Sequence, residues 1–324
     1  MSRVFERFFT KLDMQQITNS ILMIRPVSFR MNEQTAVNNY YQKKEDTVLP
    51  ATITAKAQQE FDALVRKLRQ VGVHVTVVED TTDTDTPDAV FPNNWISFHE
   101  NGEVVLYPMF AENRRLERRE DILDILEEQG FLIQDVMDYT LAEEDNVFLE
   151  GTGSMILDRV HQKAYCALSP RADEELFIEF CEDFEFTPVL FNAFQTVNDK
   201  RELIYHTNVM MAIGETFAIL CSECIDDKAE KKNLVENLKK DGKEIIYISE
   251  SQVNAFAGNM LQVKGDNDKT YLVMSESAYD GLNKMQIAQI EKHTTILYSN
   301  LETIEMYGGG SARCMMAEIF LPKE

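Results

Sequence analysis

The sequence predicts an α/β fold made of five repeats of strand, strand, helix and strand set around an axis. Three observations predict it. Helix-patterned stretches begin near Thr54, Ala111, Arg171, Asp227 and Ala278, roughly 50 to 60 residues apart, and such a period marks a repeated supersecondary unit. Each is followed by a short β-branched run, and each is preceded by two strand-like runs that turn into one another.

The helices are read from apolar residues at helical spacing. In Glu112–Gln129, Leu116, Ile122, Leu123 and Leu126 recur at that interval, with Gly130 as the stop; Gln58–Gln70 and Lys228–Lys240 read alike. The strands that follow them are Val73–Val78, Phe131–Val136, Pro188–Phe191, Glu244–Ile248 and Thr294–Tyr298. The preceding hairpins pair Val90–Phe98 with Val104–Tyr107, Val147–Leu157 with Lys163–Leu168, Leu203–Ile213 with Phe217–Cys221, and Met260–Val263 with Tyr271–Met274. The fifth pair is split: Cys314–Phe320 joins Ile21–Pro26, so the two ends of the chain close the ring. A doubly wound sheet is the competing architecture. The repeated hairpins and the lack of a Gly-rich dinucleotide loop weigh against it.

Composition narrows the function. At 324 residues the chain can bury a large core, and 44% hydrophobic with 27% charged residues is a globular balance. A formal charge of −23 repels nucleic acid and anionic membranes, so neither is an expected partner. Met1–Gln16 mixes charges with Phe and reads as a short N-terminal extension rather than a signal peptide. Five cysteines without framework spacing suit a reducing, cytoplasmic setting. Cys221 and Cys224 form a lone pair with no second pair beside it, so no metal site is expected.

Several polar residues sit where strand patterning wants apolar ones. Asn94, Glu150, His206 and Asn259 occupy equivalent places in the first strands of four hairpins, and Cys314 holds that place in the split fifth. Glu150 has a competing, weaker reading as a structural ion pair or an exposed strand edge, whereas His206 alone reads better as a satisfied core histidine. Together with Cys314 they form the set needed for covalent attack on an electrophilic carbon: thiolate, imidazole and orienting carboxylate. Gly308-Gly309-Gly310 ahead of Cys314 lets backbone approach a ligand closely.

At these residues the chain resembles the pentein superfamily of guanidine-modifying enzymes. The motifs that carry the likeness are Pro87–Asn94, Leu149-Glu150-Gly151, Leu168–Arg171, His206-Thr207-Asn208 and the glycine run ending in Cys314. The resemblance implies a five-bladed α/β propeller of pseudo-fivefold ββαβ units, closed by the terminal strands, in one catalytic domain spanning residues 1–324. It implies Cys314 as nucleophile, His206 as general acid/base and Glu150 as an active-site carboxylate. Arg171, with Arg114 or Arg115, matches positions that hold the substrate's α-carboxylate, while Asp88, Asn93, Asn94 and Asn208 match the substrate lining. No cofactor is implied; the partner is a small amino-acid substrate, and a homodimer is compatible with the likeness.

The departures from that pattern bear on the substrate. Asn94 and Asn208 stand where guanidine-processing members carry acids, and Gly153 stands where an Asp is common. An amide offers a donor and an acceptor but no charge, which suits a neutral ureido group better than a buried cation. Within the superfamily the run Ile24–Asn39 and Phe91–Trp95 are most similar to the citrulline utilisation hydrolases, often labelled amidinotransferases. The expected reaction is hydrolysis of citrulline to ornithine, ammonia and carbon dioxide. Arginine deiminase or amidinotransferase activity is the alternative, and a non-catalytic binding protein the second alternative.

Overall fold

The computed structural model describes residues 14–43 and 48–324, so most of the expected N-terminal extension, residues 1–13, lies outside the described residues. The strands are β1 (Ser20–Arg25), β2 (His74–Glu79), β3 (Ile96–Phe98), β4 (Glu103–Leu106), β5 (Asp135–Asp138), β6 (Met155–Asp158), β7 (Lys163–Ala167) and β8 (Thr187–Phe191). They continue with β9 (Phe194–Val197), β10 (Lys200–Leu203), β11 (Met211–Ile213), β12 (Phe217–Leu220), β13 (Glu244–Tyr247), β14 (Leu261–Lys264), β15 (Thr270–Ser275), β16 (Thr295–Ser299) and β17 (Ala317–Glu318).

Fifteen of these form five three-stranded sheets with one pairing rule: the first strand runs antiparallel to the second, and the second parallel to the third. A parallel pair needs a long crossover. Helical chain supplies it each time, as Pro50–Gln70 does between β1 and β2. The split sheet has the expected make-up, with Ile21 opposite Glu318 on β17 and Ser20 opposite His74 on β2. The fold is thus mixed α/β. No sheet closes on itself among the described residues; the five are separate.

Helices pack apolar stripes onto the sheets. Phe61, Leu64 and Leu68 of Pro50–Gln70 are buried in one cluster with Met23 of β1 and Val75 of β2. Aromatic residues Phe177 and Phe180 of Glu174–Asp183 do the same against β6 and β7, and Asp173 caps that helix by accepting from the Leu176 N–H.

Three expectations need correction. The helix expected over Glu112–Gln129 is two pieces, Glu112–Arg115 and Asp121–Glu128, and Leu116 is exposed. Buried charge overrides the apolar period there, since Arg114 turns inward with Glu117. The long first strands shrink to three or four residues, because Pro92–Asn94, Gly151–Ser154 and Thr207–Val209 form single helical turns just ahead of β3, β6 and β11. Pro92 fits such a turn, having no N–H to give a ladder. Last, β9 and β10 make an unexpected hairpin turning at Asn198 and Asp199, both with positive φ. No helix among the described residues is long and apolar enough to cross a membrane.

Candidate active site

The turns ahead of the first strands carry the chemistry. Asn94 lies ahead of β3, Glu150 ahead of β6, His206 ahead of β11, Asn259 ahead of β14 and Cys314 ahead of β17, one from each sheet. All five are buried. A turn, unlike a strand, aims successive side chains inward without alternating faces.

Cys314 follows a short helix, Glu302–Gly308, that ends at Gly309 with φ 63°, a left-handed stop that glycine adopts without strain. A Cβ on Gly308 would meet the Phe91 ring at 2.7 Å, so the loop packs on that ring only without side chains. The sulfur is cradled by two carboxamides: Asn259 Nδ2 at 3.2 Å and Asn208 Nδ2 at 3.4 Å. Asn259 Oδ1 in turn accepts from the Arg313 N–H at 3.0 Å and from the Cys314 N–H at 3.4 Å, fixing the turn. The glycine carbonyls face elsewhere, accepting from Asn39, Gln42 and Tyr205.

His206 Nε2 lies 2.7 Å from Glu150 Oε2. Burial works to raise the Glu150 carboxyl, but Arg171, His206 and Arg114 outweigh it and hold it well below the usual range. An ionised carboxylate only accepts, so Nε2 carries the shared proton and Nδ1 is the free nitrogen. Burial, opposed by Glu150, pushes the imidazole down to about 4, so it is neutral at pH 7. The ring rests on Gly153: a Cβ there would meet His206 Nδ1 at 2.8 Å and Asn94 Nδ2 at 2.4 Å. No aspartate fits at that position without moving both.

The arginines are engaged within the protein. Arg171 donates to Glu150 Oε2 at 3.4 Å, to Thr35 O at 3.0 Å and to Asn38 Oδ1, and lies over the Tyr205 ring at 4.8 Å. Arg114 grips Glu117 with Nε and Nη2, each at 2.9 Å, and gives Nη1 to Asn94 Oδ1 at 2.7 Å. Burial pushes Glu117 up to about 8 against the pull of Arg114, whose guanidinium is held charged by Glu117, Asp88 and Glu150. Arg115 lies further out, donating to Met109 O at 3.0 Å near Glu143 and Phe148.

Among the buried acceptors without a hydrogen-bond partner in the described residues are Asp88 Oδ1 and Asn208 Oδ1. Asp88 Oδ2 accepts from Asn32 at 2.8 Å and Thr35 at 3.2 Å, and burial raises its carboxyl against the pull of Arg114. Asn93 donates to Thr152 Oγ1 at 3.3 Å and accepts from Asn94 at 3.0 Å. Every residue expected at the site therefore joins one buried network except Arg115 at its edge. The sequence reading used the strap Asn32–Asn39 only as part of a resemblance, gave it no place at the site, passed over Glu117 and Tyr205, and used Asn259 only as a marker of the repeat. A carboxylate three residues after Arg114 was the signal for Glu117; nothing marked Tyr205.

A cation site has one candidate among the described residues, Asp158, His161 and Asp241. Lys243 already lies 3.2 Å from Asp158 and Lys163 2.7 Å from Asp241, so the carboxylates are neutralised without an ion.

With a buried cysteine, histidine and glutamate ahead of three of its five like sheets, the chain falls in the pentein guanidine-modifying superfamily. Within it, the family model for eukaryotic N,N-dimethylarginine dimethylhydrolase matches residues 25–321, and the chain belongs to that family. Among solved structures, apo ArgZ, an arginine dihydrolase from the ornithine–ammonia cycle in Cyanobacteria, is similar at TM-score 0.71 and 16% identity, over 94% of this chain and 41% of that one. The chain spans 100% of the product-bound N-terminal domain of ArgZ, with TM-score 0.66, 18% identity and 95% of this chain covered. A dimethylarginine dimethylaminohydrolase variant, as an adduct with S-methyl-L-thiocitrulline, gives TM-score 0.60 at 14% identity, over 94% of this chain and 100% of that one. At these identities the likeness is one of fold. No curated protein matches the chain.

Proposed function

We propose that the chain cleaves the C–N bond of a ureido or guanidino amino acid through a covalent Cys314 intermediate, with citrulline the preferred substrate. One observation carries the reading: Asn208 gives its Nδ2 to the Cys314 sulfur while its buried Oδ1 lacks a partner. A substrate N–H completes that acceptor and, in doing so, sets the carbon it belongs to beside the sulfur. Asn94 turns an N–H, the group a ureido oxygen needs, to the Gly153 side beside His206. Asp88 Oδ1 takes an ammonium or N–H of the substrate, and Arg171 with Arg115 takes its carboxylate, Arg171 letting go of the strap.

Cys314 loses its proton to His206 Nδ1 and attacks the ureido carbon. Asn94 donates to the developing oxyanion. The imidazolium, balanced by Glu150, gives the proton to the leaving nitrogen; ornithine departs and S-carbamoyl cysteine remains. His206 then takes a proton from water, hydroxide adds to the carbamoyl carbon, and the thiol is restored with release of carbamate, which breaks down to ammonia and carbon dioxide. We read the five sheets as blades of one propeller in a single catalytic domain, a reading supported by one site residue coming from each.

Arginine is the second reading. Its guanidinium would be offset once Glu117, whose carboxyl burial pushes up to about 8, gave up its proton on binding: Asp88, Glu117 and Glu150 then outnumber Arg114 and Arg171 by one. ArgZ, an arginine dihydrolase, has the same fold. The test is incubation with each substrate while ornithine, citrulline and ammonia are measured. Ornithine from citrulline supports the first reading; ornithine or citrulline formed from arginine alone supports the second.

A further inference from the structure

We propose that Arg114 is a positioning residue that sets the enzyme's preference at the scissile group, by fixing the carboxamide of Asn94, and that it does not hold the substrate's carboxylate. This rests on the hydrolase reading above.

The hydrogen bonds leave Arg114 little to offer a ligand. Nε donates to Glu117 Oε1 at 2.9 Å; Nη2 donates to Glu117 Oε2 at 2.9 Å and to Phe91 O at 3.2 Å; Nη1 donates to Asn94 Oδ1 at 2.7 Å. A guanidinium has five N–H donors, so one, on Nη1, is left, and that nitrogen lies 3.9 Å from Glu150 Oε2. Capture of a carboxylate by an arginine uses a free edge with two parallel N–H bonds. Arg114 has no such edge, being buried with that edge already on Glu117.

The same bonds decide how Asn94 faces. A guanidinium has donors and no acceptor, so a flipped carboxamide would set N–H against N–H. Oδ1 therefore points at Arg114, and Nδ2 points away, one hydrogen on Asn93 Oδ1 at 3.0 Å and the other on the Gly153 side beside His206. Asn93 passes the constraint on, donating to Thr152 Oγ1 at 3.3 Å, while that hydroxyl donates to Asn93 O at 3.2 Å. A protonated guanidino group, which has only donors, finds no acceptor at Asn94. A ureido oxygen finds a donor. Arg114 thus acts on the reacting group through Asn94, without touching it.

The test compares citrulline with its carboxylate-free analogue, a carbamoylated diamine, on wild type and on Arg114→Lys and Asn94→Ala, with thermal melting to confirm folding. Arg114→Lys keeps a charge for Glu117 and frees Asn94 to flip. The expected result is a loss in kcat/KM of about tenfold or more, equal for the two substrates, together with erosion of the preference for ureido over guanidino substrates. The doubly substituted protein should lose little more than Asn94→Ala alone. A loss confined to KM for the carboxylate-bearing substrate, with the analogue unaffected, would overturn the proposal. If Arg114→Lys does not fold, Asn94→Ala decides: an unchanged ureido/guanidino preference overturns the proposal, and a lost preference supports it. Should wild type act on arginine and not on citrulline, the citrulline reading fails, and the carboxylate test is run with arginine and its decarboxylated amine. An equal loss with both still supports Arg114 as a positioning residue.

Discussion

The inward placing of Glu150, His206 and Cys314 was legible because each is a reactive side chain in an apolar run, where a bland role needs a partner the local sequence does not supply. Arg114 joins the same buried network, but its direction was not legible, since Glu117 three residues on looks like an ordinary surface helix pair. The His206–Glu150 pair makes a pH prediction. An imidazole at about 4 when folded, against ~6.5 unfolded, leaves the unfolded chain holding more protons between those values. Stability must therefore fall as pH drops through that window, by up to ~3 kcal/mol. Urea titrations at pH 7 and pH 4.5 should show a smaller drop in His206→Gln than in wild type. At the sulfur, Asn259→Ala removes both a donor to Sγ and the clamp on the Cys314 turn. Iodoacetamide labelling of Cys314 at pH 7 should slow several-fold, since the sulfur is no longer held in one position, while melting temperature changes little; unchanged labelling would remove Asn259 from the site.

The five repeated units could be read from periodicity, yet their first strands were read too long. Val90–Phe98 and Leu203–Ile213 carry strand-like residues throughout, and nothing in that pattern separates a strand from a turn of three residues entering one. The strap Asn32–Asn39 was legible as a motif but not as part of the site, because its polar residues point inward only in the folded chain. Thr35 O and Asn38 Oδ1 hold Arg171, so under the proposed function a substrate carboxylate would displace them. Asn38→Ala should lower KM for citrulline about fivefold with kcat unchanged, the size of one hydrogen bond; a raised KM would instead make the strap part of the binding site. In the glycine run, a Cβ at Gly310 would meet Phe91 Cζ at 2.9 Å. Gly310→Ala should cost ~1–3 kcal/mol by calorimetry, and Phe91→Leu should recover part of it.

At the scale of the whole molecule, the pairing of the terminal strands was legible because only the last apolar run and the first lacked partners, and Ile21 does pair with Glu318. The net charge of −23 sets a background of self-repulsion. Raising salt from about 0.01 to 0.2 M should therefore raise the melting temperature as screening shortens. The buried ion pairs around Glu150 and Arg114 are screened much less, so activity should change little over the same range. The account turns on one covalent bond, between the sulfur of Cys314 and the ureido carbon. Rapid acid quench during turnover of citrulline, followed by peptide mass spectrometry, tests it directly. The prediction is a carbamoyl group on Cys314 and on no other cysteine, absent in Cys314→Ser. A fully active enzyme whose Cys314 stays unmodified, or one carrying the ornithine portion on the sulfur, would contradict it.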